Sequence, residues 1–140
     1  MEIREYAPFD EREIAELYGA VGWTAYTDDL PALQRGFANS LLVLGAYEDG
    51  ALLGIIRCVG DGETIVRIQD VLVFPEYQRR GAGRALVKAV LERFPRVRQI
   101  ELATDANDPV SNAFYRALGF RGFPEIGITG YMRFRTKKGE

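Results

Sequence analysis

The hydrophobic pattern of the sequence changes near Pro75, and this change restricts the fold more than any other feature. Before it, three strand-like runs are joined by the short turns Asp49-Gly50 and Gly60-Asp61-Gly62. Gly and Asp tolerate the positive φ angles that hairpins require. After it, helical and strand-like patterns alternate. An antiparallel meander followed by strand–helix–strand units predicts a mixed α/β fold with a mostly antiparallel sheet, a parallel strand pair and flanking helices.

Local start and stop signals predict where the elements lie. Asp10 and Glu13 have the spacing of a capping box and start a first helix. A loop over residues 22–26 leads to Thr27-Asp28-Asp29, which are N-cap residues for a second helix. Strands are predicted over residues 3–6, 41–47, 51–59, 64–74, 98–104 and 128–134, and further helices over 81–94 and 108–118.

The helix predicted over residues 108–118 has the clearest boundaries. Asp108 is its N-cap, Pro109 takes the first helical position and Gly119 ends it. Its apolar stripe consists of Val110, Ala113, Phe114, Ala117 and Leu118.

Composition excludes several classes of protein. The 140 residues include no histidine and a single cysteine, Cys58, which predicts no disulfide, no structural zinc site and no catalysis by imidazole. A net charge of −2 argues against nucleic-acid binding, since that affinity comes largely from neutralised phosphates. Without a leader pattern or a membrane-length apolar run, the chain is expected to be cytoplasmic, with no membrane partner. We expect one domain over residues 1–134 and a polar tail over 135–140.

Residues 71–86 predict a phosphate site. A strand ends at Pro75, and Gly81 and Gly83 lie where a helix starts, so that backbone amides are open to an anion. Arg79, Arg80 and Arg84 add positive charge to the same turn. Neither the P-loop pattern nor the three-glycine dinucleotide fingerprint fits, since Leu86 takes the third glycine position of the latter.

Two motifs resemble those of the GNAT superfamily of N-acetyltransferases. Gln78-Arg-Arg-Gly-Ala-Gly83 is similar to its Gln/Arg-x-x-Gly-x-Gly/Ala motif, and Asn107 followed by Phe114-Tyr-Arg-Ala-Leu-Gly-Phe120 is similar to its second signature. The resemblance covers nearly the whole chain and implies a GNAT-like fold. It also implies that coenzyme A lies where two parallel strands, ending near Val73 and Thr104, splay apart.

The resemblance further implies a set of cofactor-binding residues. The backbone of the strand would hydrogen-bond the pantetheine arm, and the turn after it would hold the pyrophosphate. The sequence leaves open which arginine meets the pyrophosphate and which the ribose phosphate. The implied residues are Val71, Leu72, Val73, Gln78, Arg79, Arg80, Gly81, Ala82, Gly83, Arg84, Asn107, Asp108, Ser111 and Phe114.

Tyr115 corresponds to the tyrosine that often protonates the departing thiolate in this superfamily. A phenol suits that role, although Tyr115 also fits as a packing residue beside Phe114. Where many relatives carry a glutamate base, this chain has Arg67, which cannot act as a base. The remaining base candidates are Asp70, Glu101, Asp105 and Tyr26.

The sequence therefore predicts an acetyl-CoA-dependent N-acetyltransferase that acts by direct attack of a small amine or a peptide amine. The alternative is a non-catalytic module that binds or senses acyl-CoA. Trp23 and Tyr26, with residues 127–131, are expected to wall the acceptor pocket, although the two aromatic residues fit a core role equally well. Cys58 is expected in the core. The sequence leaves open the acceptor and whether the chain forms a homodimer.

Overall fold

The computed structural model describes residues 1–135 and confirms the mixed α/β fold. Residues 136–140, which belong to the predicted tail, lie outside the described residues. The strands are β1 (Glu2–Glu5), β2 (Leu42–Glu48), β3 (Ala51–Gly60), β4 (Ile65–Val73) and β5 (Gln99–Leu102). The helices are α1 (Glu11–Ala20), α2 (Thr24–Thr27), α3 (Leu30–Ala38), α4 (Ala82–Arg93) and α5 (Pro109–Ala117), with 3₁₀ turns at Pro75–Tyr77 and Phe123–Ile126.

The chain divides into two compact units, residues 1–103 and residues 104–140. The first contains the sheet and α1 to α4, and the second contains α5 and the 3₁₀ turn Phe123–Ile126. A single domain over residues 1–134 stays a prediction. Within residues 1–135, no helix is long and apolar enough to cross a membrane.

The sheet has the order β1-β2-β3-β4-β5. All neighbours are antiparallel except β4 and β5, which form the predicted parallel pair. Their ladder runs only from Ile65 opposite Gln99 to Ile68 opposite Leu102. Beyond Ile68, β4 continues to Val73 with β3 as its only strand neighbour within residues 1–135. No described strand pairs with the other edge of its second half, which we call the open edge.

The predicted helix caps are confirmed. The Asp10 carboxylate accepts the Glu13 N–H at 3.0 Å, and that of Asp29 accepts the Ala32 N–H at 3.1 Å. The predicted loop over residues 22–26 is partly wrong, because α2 makes one helical turn there. A single turn has little intrinsic stability and depends on packing. Here, the Tyr26 ring packs against the ring of Tyr18, with the two ring centroids 5.2 Å apart.

Helices α1 and α3 pack on the sheet through one apolar cluster. It contains Ile14, Leu17 and Tyr18 of α1, Leu33 and Phe37 of α3, and Ile55 and Leu72 of the sheet. Helix α4 buries Leu86, Val87 and Val90 and contacts β1 to β4. Cys58 on β3 is fully buried, as expected from the sequence.

A buried charged network joins α1, β3 and β4. Asp70 is 1% exposed, and its Oδ2 accepts hydrogen bonds at 2.7 Å from both the Tyr18 hydroxyl and Arg57 Nε. Arg57 Nη1 also donates to the Ser40 hydroxyl at 3.3 Å. Burial would lower the pKa of Arg57, but the adjacent Asp70 carboxylate raises it above the usual value. The Arg57 guanidinium is therefore charged, and the Asp70 carboxylate lies against it inside the core.

The second unit departs from two sequence predictions. Residues 128–134 do not form a strand. Within the described residues, the Ile128 N–H bonds the Phe123 carbonyl and no backbone group of residues 129–135 is paired, whereas a strand needs a bonded neighbour. The predicted stripe of α5 is largely exposed, since Val110, Ala113 and Ala117 face solvent. Helical spacing predicts which residues share a face, but not what covers that face.

The buried pair predicts an unequal effect of two similar substitutions. Asp70→Asn leaves the Arg57 charge unpaired in the core and should lower the free energy of unfolding by about 3–5 kcal/mol. Glu101→Gln breaks the partly exposed Arg67–Glu101 pair, which is more solvated, and should cost at most about 1 kcal/mol. Urea titrations of both variants measure the difference, and equal losses would contradict it.

Candidate functional site

The open edge of β4 presents backbone groups that no described strand pairs. The Phe74 N–H donates to the Leu53 carbonyl on β3 at 2.9 Å. Successive residues of a strand direct their backbone groups to opposite edges, so those of Leu72 point toward β3 and those of Val71 and Val73 point toward the open edge. The Val73 carbonyl already accepts a hydrogen bond from Gln78 Nε2 at 3.3 Å. The open edge therefore offers both backbone groups of Val71 and the N–H of Val73.

The turn after β4 leads directly into the N-terminus of α4. Arg79 and Gly81 have positive φ angles of 67° and 86°. A Cβ at Gly81 would meet no atom within 4 Å, so glycine is favoured there by the backbone angle and not by space. The first amide bonded within the helix is that of Ala85, which donates to the Gly81 carbonyl at 2.9 Å. The amides of Ala82, Gly83 and Arg84 precede it and are free to bind an anion.

The three arginines of this turn differ in their partners. Arg80 Nη1 lies 3.4 Å from Glu48 Oε1, and its guanidinium lies 5.4 Å from the centroid of the Tyr77 ring. Arg79 and Arg84 are exposed and form no ion pair within the described part of the chain. The uncommitted positive charges at the start of α4 are therefore those of Arg79 and Arg84.

A chain of polar side chains lies where the β4–β5 ladder ends. Arg67 Nη1 donates to Glu101 Oε1 at 3.1 Å, and Arg67 Nε donates to Gln69 Oε1 at 3.3 Å. Gln69 Nε2 in turn donates to the Tyr26 hydroxyl at 3.3 Å. Trp23 stacks on Tyr26 with ring centroids 6.0 Å apart and is 39% exposed. This polar chain is half-buried and reaches from β5 across β4 to α2.

Burial alternates along β4 and separates its two groups of polar residues. Asp70 shares the buried face with Ile68 and Leu72, whereas Arg67 and Gln69 are half-buried on the other face. Because the Asp70 carboxylate is enclosed and paired with Arg57, it is removed from the base candidates. Gln69 was not predicted as a site residue, because a single amide side chain in a strand matches no known motif.

In the second unit, Asp108 begins α5 as predicted. Its carboxylate accepts the amides of Val110 and Ser111 at 3.0 and 3.3 Å. These hydrogen bonds, with Ser111 the main contributor, lower the Asp108 pKa. The Ser111 hydroxyl lies 2.9 Å from that of Thr104, whereas Asn107 is exposed. The Asp108 carboxylate thus serves the local structure of the helix.

The Tyr115 ring is half-buried between two other aromatic rings. It makes edge contacts with Phe114 and Phe120, at centroid distances of 5.0 and 6.0 Å. Burial raises the pKa of Tyr115, so its phenol stays protonated at neutral pH. Its hydroxyl makes no hydrogen bond with the residues that the structure describes, which leaves the O–H available as a donor.

Comparison with known proteins identifies the family. A model of the acetyltransferase (GNAT) family matches residues 7–120, and the chain belongs to this family. A solved GNAT family protein from Streptococcus pneumoniae TIGR4 is 33% identical, with a TM-score of 0.84 over 97% of this chain and 98% of that one. The aminoglycoside N-acetyltransferase AAC(6')-Iy, solved in complex with CoA, has a TM-score of 0.72 at 20% identity, over 98% and 94% of the two chains; this likeness is one of fold.

A curated relative is longer than this chain. The uncharacterized N-acetyltransferase ycf52-like protein of Prochlorococcus marinus is 31% identical over 112 residues, which cover 77% of this chain and 61% of that protein. The chain thus spans about three fifths of the relative's length.

The burial of Cys58 predicts an inert thiol in the folded protein. Burial raises its pKa to about 12, so little of the reactive thiolate is present at pH 8. A disulfide reagent should therefore label wild-type protein at least about a hundredfold more slowly when it is folded than in denaturant. Ala51→Cys adds an exposed thiol on the same strand and should react at once without denaturant. Fast labelling of native wild-type protein would contradict the burial.

Proposed function

We propose that this chain is an acetyl-CoA-dependent N-acetyltransferase that transfers the acetyl group to a primary amine. The observation that carries the proposal is the open edge of β4, which runs directly into the free amides at the start of α4. An extended polar arm that ends in phosphates matches both parts at once. Family membership and the CoA complex of AAC(6')-Iy support the same cofactor. The cytoplasmic location stays a prediction.

The pantetheine arm forms hydrogen bonds with the backbone of Val71 and Val73, as an additional strand would. The backbone of Leu72 bonds β3 and so holds this part of β4 in place. The pyrophosphate meets the amides of residues 82–84. Arg79 and Arg84 provide the charges for the phosphates, because Arg80 is already paired with Glu48. The sequence left open which of the three arginines contacts a phosphate. The ion pair of Arg80 is the reason for assigning this role to the other two.

The roles that we propose for residues of the second unit follow from their match to the second signature of the family. Asn107, Ser111 and Phe114 contribute contacts to the cofactor, and Asp108 holds the start of α5 in place. Tyr115 acts as the general acid. Its free hydroxyl and raised pKa support this role, since the donor must be protonated when the reaction begins.

The proposed reaction is a direct transfer. The neutral amine attacks the thioester carbonyl and forms the C–N bond, and the C–S bond then breaks with its electron pair on sulfur. Tyr115 gives its proton to this thiolate, and the amide nitrogen loses its extra proton to solvent or a base. An acetyl-enzyme on Cys58 is disfavoured, because this side chain is fully buried.

The acceptor side is proposed at the polar chain of Tyr26, Gln69, Arg67 and Glu101, with Trp23 beside it. Aromatic faces and the nearby carboxylates of Asp28 and Asp29 suit a cationic amine. The participation of residues 127–131 stays a prediction. An acceptor of this kind would present its amine beside the end of the β4–β5 ladder, beyond the arm bound at Val71.

One observation favours the alternative of a non-catalytic acyl-CoA module. Arg67 takes the place of the glutamate base of many relatives, and the nearest carboxylate, Glu101, is held in an ion pair with it. A module of this kind would bind acetyl-CoA, and no added amine would cause the release of free CoA.

An activity measurement separates the two functions. Purified protein is mixed with acetyl-CoA and a panel of polyamines, aminoglycosides, amino acids and peptides, and CoA release is followed with a chromogenic thiol reagent. The enzyme hypothesis predicts amine-dependent release. Cys58 should add little background, because it is buried. Cofactor binding without turnover across the panel would favour the module.

Cofactor binding should depend on the glycine at the second position of α4. Gly83→Val places a branched side chain beside the free amides and should weaken CoA binding at least about tenfold in calorimetry. Gly19→Val in α1 is the matched control, since a Cβ there would meet no atom within 4 Å. Wild-type affinity should also fall with added salt. Unchanged affinity in Gly83→Val would contradict the cofactor assignment.

The proton donor is tested by removing one hydroxyl. Tyr115→Phe keeps the ring and should lower kcat about tenfold or more, with little change in CoA affinity. Tyr47→Phe on β2 is the control, and its kcat should equal that of the wild type. Unchanged turnover in Tyr115→Phe would assign Tyr115 to packing.

A further inference from the structure

The polar chain that ends at Tyr26 has a fixed hydrogen-bond direction. An arginine guanidinium carries only N–H groups and can only donate, so the Gln69 atom that lies 3.3 Å from Arg67 Nε is the amide oxygen. The amide nitrogen of Gln69 therefore faces Tyr26, and it donates to the Tyr26 hydroxyl oxygen at 3.3 Å. The orientation of the Gln69 amide is thus set by its charged neighbour.

Arg67 is itself held in place from the neighbouring strand. Arg67 on β4 and Glu101 on β5 lie opposite each other in the parallel ladder, and Arg67 Nη1 donates to Glu101 Oε1 at 3.1 Å. The two side chains are largely shielded from solvent, with exposed fractions of 28% and 22%. The sheet register therefore fixes the arginine, and the arginine fixes the amide of Gln69.

The direction of this chain determines what the Tyr26 hydroxyl can offer to a ligand. Because its oxygen accepts the hydrogen bond from Gln69, its own O–H points away from Gln69. This O–H has no acceptor among the residues that the structure describes. Tyr26 is half-buried and stacks on Trp23, which is 39% exposed. The proposed acceptor side thus contains a directed donor that a substrate atom can satisfy.

We propose that Gln69 is a positioning residue that holds the Tyr26 O–H as a hydrogen-bond donor toward an oxygen atom of the substrate. The inference rests on the proposed function, because it concerns the acceptor side of that reaction. The oxygen belongs either to an ether, hydroxyl or carbonyl group of the amine or to the thioester carbonyl. A fixed donor favours such an oxygen over a methylene group at the same place, since a methylene group would leave the O–H unpaired.

Matched pairs of amines test whether the donor contacts an oxygen of the acceptor. Methoxyalkylamines of increasing length are compared with the alkylamines that have the same number of non-hydrogen atoms, because an ether oxygen can only accept. The wild type should favour at least one methoxyalkylamine over its alkylamine about fivefold in kcat/KM. Tyr26→Phe should bring this ratio to about one. If the oxygen is that of the thioester, the ratio is about one in the wild type, and Tyr26→Phe lowers kcat at least about tenfold with every amine.

Gln69→Glu tests the positioning role, because it reverses the last hydrogen bond of the chain. A carboxylate accepts from both neighbours, so the Tyr26 O–H turns toward residue 69 and no longer faces the substrate. Gln69→Glu should therefore change the ratio, or kcat, in the same way as Tyr26→Phe. Gln99→Glu adds the same charge at an exposed position of β5 and should behave as the wild type. Circular dichroism checks that the variants remain folded.

Calorimetry separates this inference from the proposed reaction. Amine binding is measured with the complex of the protein and CoA, and a preference for an oxygen of the acceptor should appear in Kd without any acetyl transfer. CoA binding with this preference but without turnover would refute acetyl transfer and retain the role of Gln69. Turnover that neither Tyr26→Phe nor Gln69→Glu alters would overturn the inference, while acetyl transfer would stand. A CoA complex that neither binds nor acetylates any amine of the series would overturn the inference as well.

Discussion

The early end of the parallel ladder between β4 and β5 is the constraint on which the proposed site depends. The ladder stops at Ile68 and Leu102, while β4 continues to Val73 along β3. The second half of β4 is thus held firmly on one edge and has open backbone groups on the other. A flexible loop with the same groups would have to be ordered by the ligand, at an entropic cost. In β4 the sheet already holds these groups in order, so the proposed cofactor would not have to order them.

The two faces of β4 carry two separate polar networks. On the buried face, Asp70 pairs with Arg57 and Tyr18 and fixes α1 and β3 against the strand. On the half-buried face, Arg67 and Gln69 connect β5 to α2 through Glu101 and Tyr26. The first network lies out of water, so the loss of one partner is costly. The second is partly hydrated, so the loss of one of its members should cost less stability.

Much of the fold and part of the candidate site were predictable from the sequence. Turn residues, N-caps and hydrophobic periods are local signals, and they located β2 to β4, α1, α3 and the start of α5 closely. The turn before α4 was predictable because Gly81 adopts a positive φ angle that few other residues accept. A lone Arg57 and a lone Asp70 in apolar strands also contained a signal for a buried pair. It was missed because the register that joins them is not local.

The sequence by itself determined the family, most of the elements and the glycine-containing turn that leads into α4, since these rest on local motifs and on periodicity. Only the tertiary structure decided that Asp70 is a structural residue, that Arg80 is already paired with Glu48, and that residues 128–134 form no strand. Each of these outcomes depends on a partner distant in sequence or on the absence of one in the described residues. Residue type fixes what a side chain or a backbone segment is able to bind, whereas packing fixes which partner is within reach.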